Sequence, residues 1–421
     1  MKEWLKISIL LCVFGFLKEI RPSEPFIYEY LIGPWWNNTE EQVTQQVYPV
    51  GTYAQLAQLA IVFLITDLCR YKPLIVLMGL SGITAWGMLL WGKTLFHLQV
   101  LEVIYGTFMA TEVAYYTYIY AKVPKEYYSQ VTGHTRAAIL AGRCLSGVLA
   151  QLLVTLSWMD YRELNYITFS VMIAASVWSI SLPSVKMSIY FHRTPEKELL
   201  TAREKYQSAF SLMKTHFVES FSNRYVAKWS IWWALATCGF ALVQSYMQPL
   251  WTVIHTDPNS VLHNGSVEAV LTLIGCFGAL SISFIKADWS QRGELVLSLC
   301  SILAGALLII SSQTNYILVS YVCYVVFGGL YHFMITIASS EVAKHILEDS
   351  YGLVFGLNTL IALVLQTIIT VCLISGDIGV ALPPRPLHLA FGIYHMGIAV
   401  IFIIIGIIDW LKSHADINKT Y

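Results

Sequence analysis

Charge is scarce in this sequence. Asp, Glu, Lys and Arg supply 12% of its 421 residues, about half of the roughly 25% usual in a soluble domain. Hydrophobic residues make up 56%, and the mean hydropathy is +0.60. A membrane, not water, is the solvent such a chain requires. The formal net charge is zero and no basic, aromatic-spaced patch occurs, which excludes nucleic acid as a partner. HExxH, nucleophile-elbow and P-loop motifs are missing, as is any His-rich cluster, and the connecting segments are too short for a catalytic domain. The sequence therefore reads as no enzyme, with no catalytic residue, no metal and no cofactor. The 8 cysteines are scattered, with no CxxC and no Cys/His ligand spacing, so buried free thiols are expected. No small-residue cleavage site follows the apolar run from Ile7 to Leu17, because Lys18-Glu-Ile-Arg-Pro22 comes next. That run is expected to stay as the first transmembrane helix.

Long hydrophobic runs are what the chain does have. Windows of about 20 apolar residues recur, at 4–20, 50–68, 74–92, 99–121, 137–156, 165–182, 228–251, 264–285, 294–312, 316–342, 352–374 and 388–411. The expectation is an all-α membrane protein of twelve transmembrane helices in two six-helix halves, residues 1–182 and 228–411. A cytoplasmic central loop, 183–227, joins them, and a cytoplasmic tail covers 412–421. Part of that loop, Pro195 to Val218, reads either as a helix along the inner surface or, the favoured reading, as a solvated connector drawn to anionic lipid. With the N-terminus inside, the inner segments hold 20 Lys and Arg, against Arg21, Lys93, Arg162 and Arg385 outside, so both termini are expected in the cytoplasm. The sequon Asn37-Asn-Thr39 falls in the first outer loop and is the candidate glycosylation site; Asn264-Gly-Ser266 and Asn418-Lys-Thr420 read as accidental matches.

The fourth span carries the chemistry. Between Val100 and Tyr120 it is apolar enough to cross a bilayer, yet it holds Glu102, Glu112 and a ladder of tyrosines. At 100° per residue Tyr105 and Glu112 share one row, with Glu102, Met109 and Tyr116 on the next. A charge at membrane depth costs at least about 2.5 kcal/mol, so these acids should face the bundle interior or a water-filled cavity. The span reads as one wall of a solute site.

Several motifs bear a resemblance to a known family. These are Arg21-Pro-Ser-Glu24-Pro-Phe26, Thr66-Asp67-Leu-Cys-Arg70-Tyr-Lys72-Pro73, Glu112-Val-Ala-Tyr-Tyr-Thr-Tyr-Ile-Tyr120, Leu149-Ala-Gln-Leu-Leu-Val154, Asn264-Gly265 with Glu268, and Val354-Phe-Gly-Leu-Asn-Thr359. Together they resemble the reduced folate carrier and thiamine transporter family over residues 7–411. The resemblance implies a major-facilitator fold carrying a water-soluble vitamin across the plasma membrane. The second-to-third helix loop at Asp67 has a weak echo in Lys286-Ala-Asp288-Trp-Ser-Gln-Arg292. Both loops read equally as ion-pair clasps on neighbouring helix ends or as positive-inside anchors.

Charge bears on the cargo. Folates are dianionic at their glutamate end and want fixed positive charge; thiamine is a permanent cation and wants carboxylates and aromatic faces. By the resemblance, mammalian folate carriers have arginines where this chain has Glu112 and Gly328 and a lysine at Gln366, and all three cations are missing here. Glu24, Glu102, Tyr105 and Asn264 match positions that the resemblance implies bind thiamine. Two departures stand against this. The motif Pro49-Val-Gly51-Thr-Tyr53 lacks a tryptophan found in the thiamine transporters, and Arg143 replaces a tyrosine.

The candidate substrate site is thus Glu24, Tyr53, Glu102, Tyr105, Glu112, Arg143, Tyr246 and Asn264. Alternatives stay open for most of them. Arg143 either pairs with Glu112 at similar depth or binds an anion. Glu102 contacts ligand or sits as a hydrated mouth acid, and Glu24 contacts ligand or caps a broken first helix. Tyr246 and Gln248 either reach the cavity or pack. Glu268 and Glu294 read as helix-start acids, His332 as a core histidine or a proton-coupling group, and Asn358 and Gln366 as cross-helix bonds. The expected function is thiamine uptake by alternating access, as a uniporter or coupled to protons or an exchanged anion. An anionic-vitamin carrier using Arg143, or a non-transporting receptor or scaffold, are the rivals.

Overall fold

In the computed structural model, described here for residues 2–185, 190–191, 202–255, 261–281, 289–376 and 379–420, the apolar windows fold as helices and no strand appears among the described residues. The chain runs α1 (Glu3–Lys18), α2 (Ile27–Ile32), α3 (Tyr48–Ile65), α4 (Lys72–Trp91), α5 (Leu95–Ala110), α6 (Glu112–Lys122), α7 (Tyr128–Thr155), α8 (Tyr161–Ile180), α9 (Ala202–Ser222), α10 (Arg224–Ile254), α11 (Asn264–Ser281), α12 (Trp289–Gln313), α13 (Ile317–Lys344), α14 (Tyr351–Leu373) and α15 (Pro384–Thr420). Local chemistry sets many of the ends. Pro73 opens α4, the Thr94 hydroxyl accepts from the His97 amide to cap α5, and Asp160 and Glu163 form a capping box on α8.

Among the described residues nine helices are long and apolar enough to cross a membrane: α3 with its preceding π-helical turn, α4, α7, α8, α10 and α12–α15. The other three expected spans differ. The first is α1, which ends at Lys18 after 16 residues, and an irregular stretch and a 3₁₀ turn (Glu24–Phe26) separate it from α2. The fourth is broken between α5 and α6 at Thr111. The eighth is α11, beyond which residues 282–288 lie outside the described set. So do Lys286 and Asp288 of the second loop motif, and much of the central loop before α9.

The helices pack as two groups. In the first, α1 lies on α7 and α8, and α4 on α5 and α8; in the second, α12 lies on α13 and α15, and α10 on α13, α14 and α15. One buried apolar cluster comes from residues 7–185 with Leu363 added, and two more come from residues 226–402. The groups meet along α7–α11 and α3–α14. Glycine permits the first seam. A Cβ on Gly147 would stand 2.6 Å from the Gly265 oxygen, and one on Gly265 would stand 2.7 Å from the Gly147 oxygen. At the end opposite the chain termini, Trp91, Phe96, Trp158 and Tyr316 project outward as an aromatic belt. All eight cysteines are free, but only Cys238 and Cys323 are buried and Cys372 is exposed, so the expectation of uniformly buried thiols fails.

The Asp67 loop is tied by hydrogen bonds to the end of α8 and the chain after it. Asp67 accepts from the Tyr71 hydroxyl at 2.8 Å and from the Tyr190 and Phe191 amides at 3.0 and 2.8 Å. Lys72 donates to the Ile180 carbonyl at 2.8 Å.

Candidate functional site

Two broken helices face each other at the centre of the first group. In a membrane the backbone groups freed by a break need partners within the protein. Here the Arg21 amide donates to Ser146 Oγ at 3.0 Å, Ser23 pairs with Thr168, and Trp86 Nε1 donates to Ser23 Oγ at 3.1 Å. The α5/α6 break contains no proline. Thr111 Oγ1 donates back to the Thr107 and Phe108 carbonyls at 2.7 and 3.1 Å, competing with the regular helix bonds.

The first break turns four charged side chains inward, and an ionic array results. Lys18 bridges Glu19 and Glu112, each at 2.5 Å. Arg21 meets Glu19 at 2.9 Å and Glu24 at 2.6 Å, and Arg143 Nε meets Glu19 at 2.6 Å. Tyr116 donates to Glu112 at 3.2 Å and Tyr105 to Glu24 at 3.3 Å. Three cations and three carboxylates therefore close on one another. Arg143 is paired, as one of its two readings required, but with Glu19 and not Glu112, which Lys18 takes. Arg21 is buried in this array, not placed in an outer loop. The break at Thr111 also separates Tyr105 from Glu112: they serve opposite ends of the array instead of one helix row.

Glu102 is different. Among the described residues it has no ion pair and no hydrogen bond, and its carboxylate rests against the backbone of Gly51, where any Cβ would collide with Oε2. It is near enough to Tyr48, Tyr105 and Tyr246 to act on their hydroxyls electrostatically. The Tyr48 and Tyr246 rings meet edge to face at 5.8 Å, and the half-buried Tyr53 stands close to Tyr246. The Tyr246 hydroxyl is buried without a partner among the described residues. An unpaired carboxylate among tyrosines suits an organic cation.

The ends of the seam are closed by contacts between the groups. Gln248 bonds the Glu24 carbonyl and the Tyr28 amide. Asn264, fully buried at the start of α11, donates to Glu29 at 3.2 Å and accepts from the Tyr321 hydroxyl at 3.2 Å. Phe26, Ala150, Leu164 and Leu262 form a small apolar plug beside them. At the other end Tyr120 packs on Tyr351 at 5.6 Å.

Several remaining candidates meet partners within the protein. Glu268 accepts from Tyr324 at 2.8 Å, Glu294 pairs with Lys228, and Asn358 donates to Ser230 at 3.3 Å. His332 packs edge-on against Phe240 at 5.4 Å, with no carboxylate bonded to it among the described residues. The residues that sequence reasoning missed are Lys18 and Glu19. An intramembrane lysine followed by Glu-Ile-Arg-Pro was the signal that could have found them.

Comparison with known proteins gives one consistent picture. The model of the family described as Reduced folate carrier matches residues 2–390. Thiamine transporter 1 of Mus musculus is 37% identical, the match covering 97% of this chain and 91% of that protein. The Reduced folate transporter of Homo sapiens is 32% identical over 98% of this chain and 74% of its own. Among solved structures, a POT family transporter in complex with 5-aminolevulinic acid superposes with a TM-score of 0.67 at 12% identity, covering 95% of this chain and 96% of that one. That likeness shows the fold: an all-α, multi-pass bundle of the major-facilitator type.

Proposed function

The chain belongs to the reduced folate carrier family, and from that premise we propose that it is a vitamin transporter whose cargo is thiamine. The observation that carries this reading is Glu102, an unpaired carboxylate near Tyr48, Tyr105 and Tyr246, while every cation of the neighbouring array already meets an acid. A bound cation supplies the counter-charge Glu102 lacks, and tyrosine faces hold its rings. Glu24, Glu112 and Asn264 complete the candidate set. In this account residues 1–182 and 228–411 rock against each other with 183–227 as the tether, in the plasma membrane and with both termini cytoplasmic. Closure over the cargo expels water and strengthens the cation–carboxylate attraction, and release follows when the far gate opens. Asn37 is exposed in its loop and is the proposed glycan acceptor. Coupling to protons or to an exchanged anion stays within the proposal.

Arg143 favours a second reading. Its side chain is 35% exposed, so its guanidinium is accessible to a folate carboxylate. Paired initial-rate uptake of labelled thiamine and labelled reduced folate in transporter-deficient cells decides between them. Thiamine entry that Glu102→Gln abolishes supports the proposal. Folate entry that Arg143→Gln abolishes overturns it, and binding without uptake points to the receptor or scaffold rival.

A further inference from the structure

We propose that Glu19, a residue the cargo does not touch, sets the sign of charge that the site accepts. Its side chain is only 1% exposed, yet it alone meets all three cations of the array: Lys18 at 2.5 Å, Arg21 at 2.9 Å and Arg143 at 2.6 Å. The array divides into two layers. Glu24 and Arg143, each 35% exposed, and Glu112, 21% exposed, face accessible space; Lys18, Arg21 and Glu19 lie behind at 7% or less. The facing layer sums to −1 and the backing layer to +1. Only Glu19 keeps the backing layer from +2.

The fold commits to this placement. α1 stops at Lys18, so Glu19 leaves the helix and its carboxylate meets Arg143 of α7. Gly142 allows α7 to come that close: a Cβ there would stand 2.5 Å from the Phe16 oxygen and 3.1 Å from the Glu19 Cβ. Glu19 is thus a positioning residue. It orients Arg143 and Arg21 and neutralises them, and the cargo reads the sum through Glu24 and Arg143. Charges at membrane depth are weakly screened, so a single unmatched charge behind the site reaches the cargo.

The inference rests on the reading of a cationic cargo, and a charge ladder tests the two separately. Four proteins are compared, each normalised to its surface amount: wild type (array sum 0), Glu19→Gln (+1), Arg143→Gln (−1) and the double variant (0). The readout is the ratio of labelled thiamine to labelled reduced folate in initial-rate uptake. One unit charge roughly 10 Å away in an effective dielectric of about 20 is worth on the order of tenfold. Because a cationic and a dianionic cargo respond in opposite directions, Glu19→Gln is expected to lower the ratio by at least about that factor and Arg143→Gln to raise it. The double variant and the conservative Glu19→Asp are expected to return it towards wild type. A ratio that stays constant, or moves the same way in both single variants, overturns the proposal. If Glu19→Gln fails to reach the surface, Arg143→Gln and the double variant still decide. If wild type takes only folate, the cation reading fails, while the order of folate uptake along the ladder still tests Glu19. If neither enters, equilibrium binding of the same two labels to purified protein supplies the ratio.

Discussion

Gln248 of α10 holds the broken first span through the backbone of Glu24: its Nε2 donates to the Glu24 carbonyl at 2.9 Å while its Oε1 accepts from the Tyr28 amide at 3.1 Å. One side chain from the second helix group thereby satisfies the Tyr28 amide and adds a second bond to the Glu24 carbonyl, which also accepts from the Ile27 amide. The bond also joins the two groups beside the Phe26–Leu262 plug, and it is expected to bear on gating. Gln248→Leu keeps the bulk and removes both bonds. At about 1 kcal/mol each, the closed arrangement loses roughly 2 kcal/mol, near a 30-fold shift towards open. A cysteine introduced at Leu262 is expected to react faster with an impermeant thiol reagent added outside in the Gln248→Leu background. Equal rates would show that the bracket does not bear on gating.

Lys18 tests the array's structural share. It is 2% exposed and joins Glu19 to Glu112. Lys18→Met leaves Glu112 without a cation and takes one of three from the buried Glu19, a loss worth up to about 3–5 kcal/mol when one partner of a buried pair goes. The variant is expected to lose most of its thermal stability in detergent. Lys18→Met with Glu112→Gln removes both charges and is expected to recover most of it, as read from the melting temperature. No recovery would mean that Glu112 and Lys18 act independently.

Tyr105 separates hydroxyl from ring. Its ring lies 6.0 Å from Trp86 and 5.9 Å from Phe108, and its hydroxyl donates to Glu24 at 3.3 Å. Tyr105→Phe keeps the packing and frees one lone pair of Glu24. Thermal stability is expected to hold, while thiamine KM changes about fivefold, near 1 kcal/mol. A fall in melting temperature with unchanged KM would assign the hydroxyl to structure.

The fold was legible because the bilayer demands it: apolar runs of helix-spanning length recur whatever the cargo, and nine of them are continuous. The two breaks were less so. Glu24 between Pro22 and Pro25 marked the first. The second, at Thr111, has no proline or glycine from 107 to 122 to announce it, only threonine back-bonding that any membrane helix tolerates. Those breaks decide the site. The sequence placed Arg21 in an outer loop, and depth alone paired Arg143 with Glu112. Once the first span breaks, Lys18 takes Glu112 and leaves Arg143 to Glu19. Glu102 was legible by its type and depth, but its lack of a partner is a property of three dimensions.

The central claim is that Glu102 is the counter-charge for a cationic vitamin, and direct binding tests it most closely. Labelled thiamine is titrated onto purified wild-type protein and onto Glu102→Gln, with labelled reduced folate alongside. Because Glu102 has no ion pair or hydrogen bond to lose among the described residues, the variant is expected to melt with wild type. Its thiamine affinity is expected to fall on the order of 100-fold, about 2.7 kcal/mol, with folate unaffected or tighter. Equal thiamine affinity in the two proteins, or folate binding that needs Arg143 in both, would contradict the account.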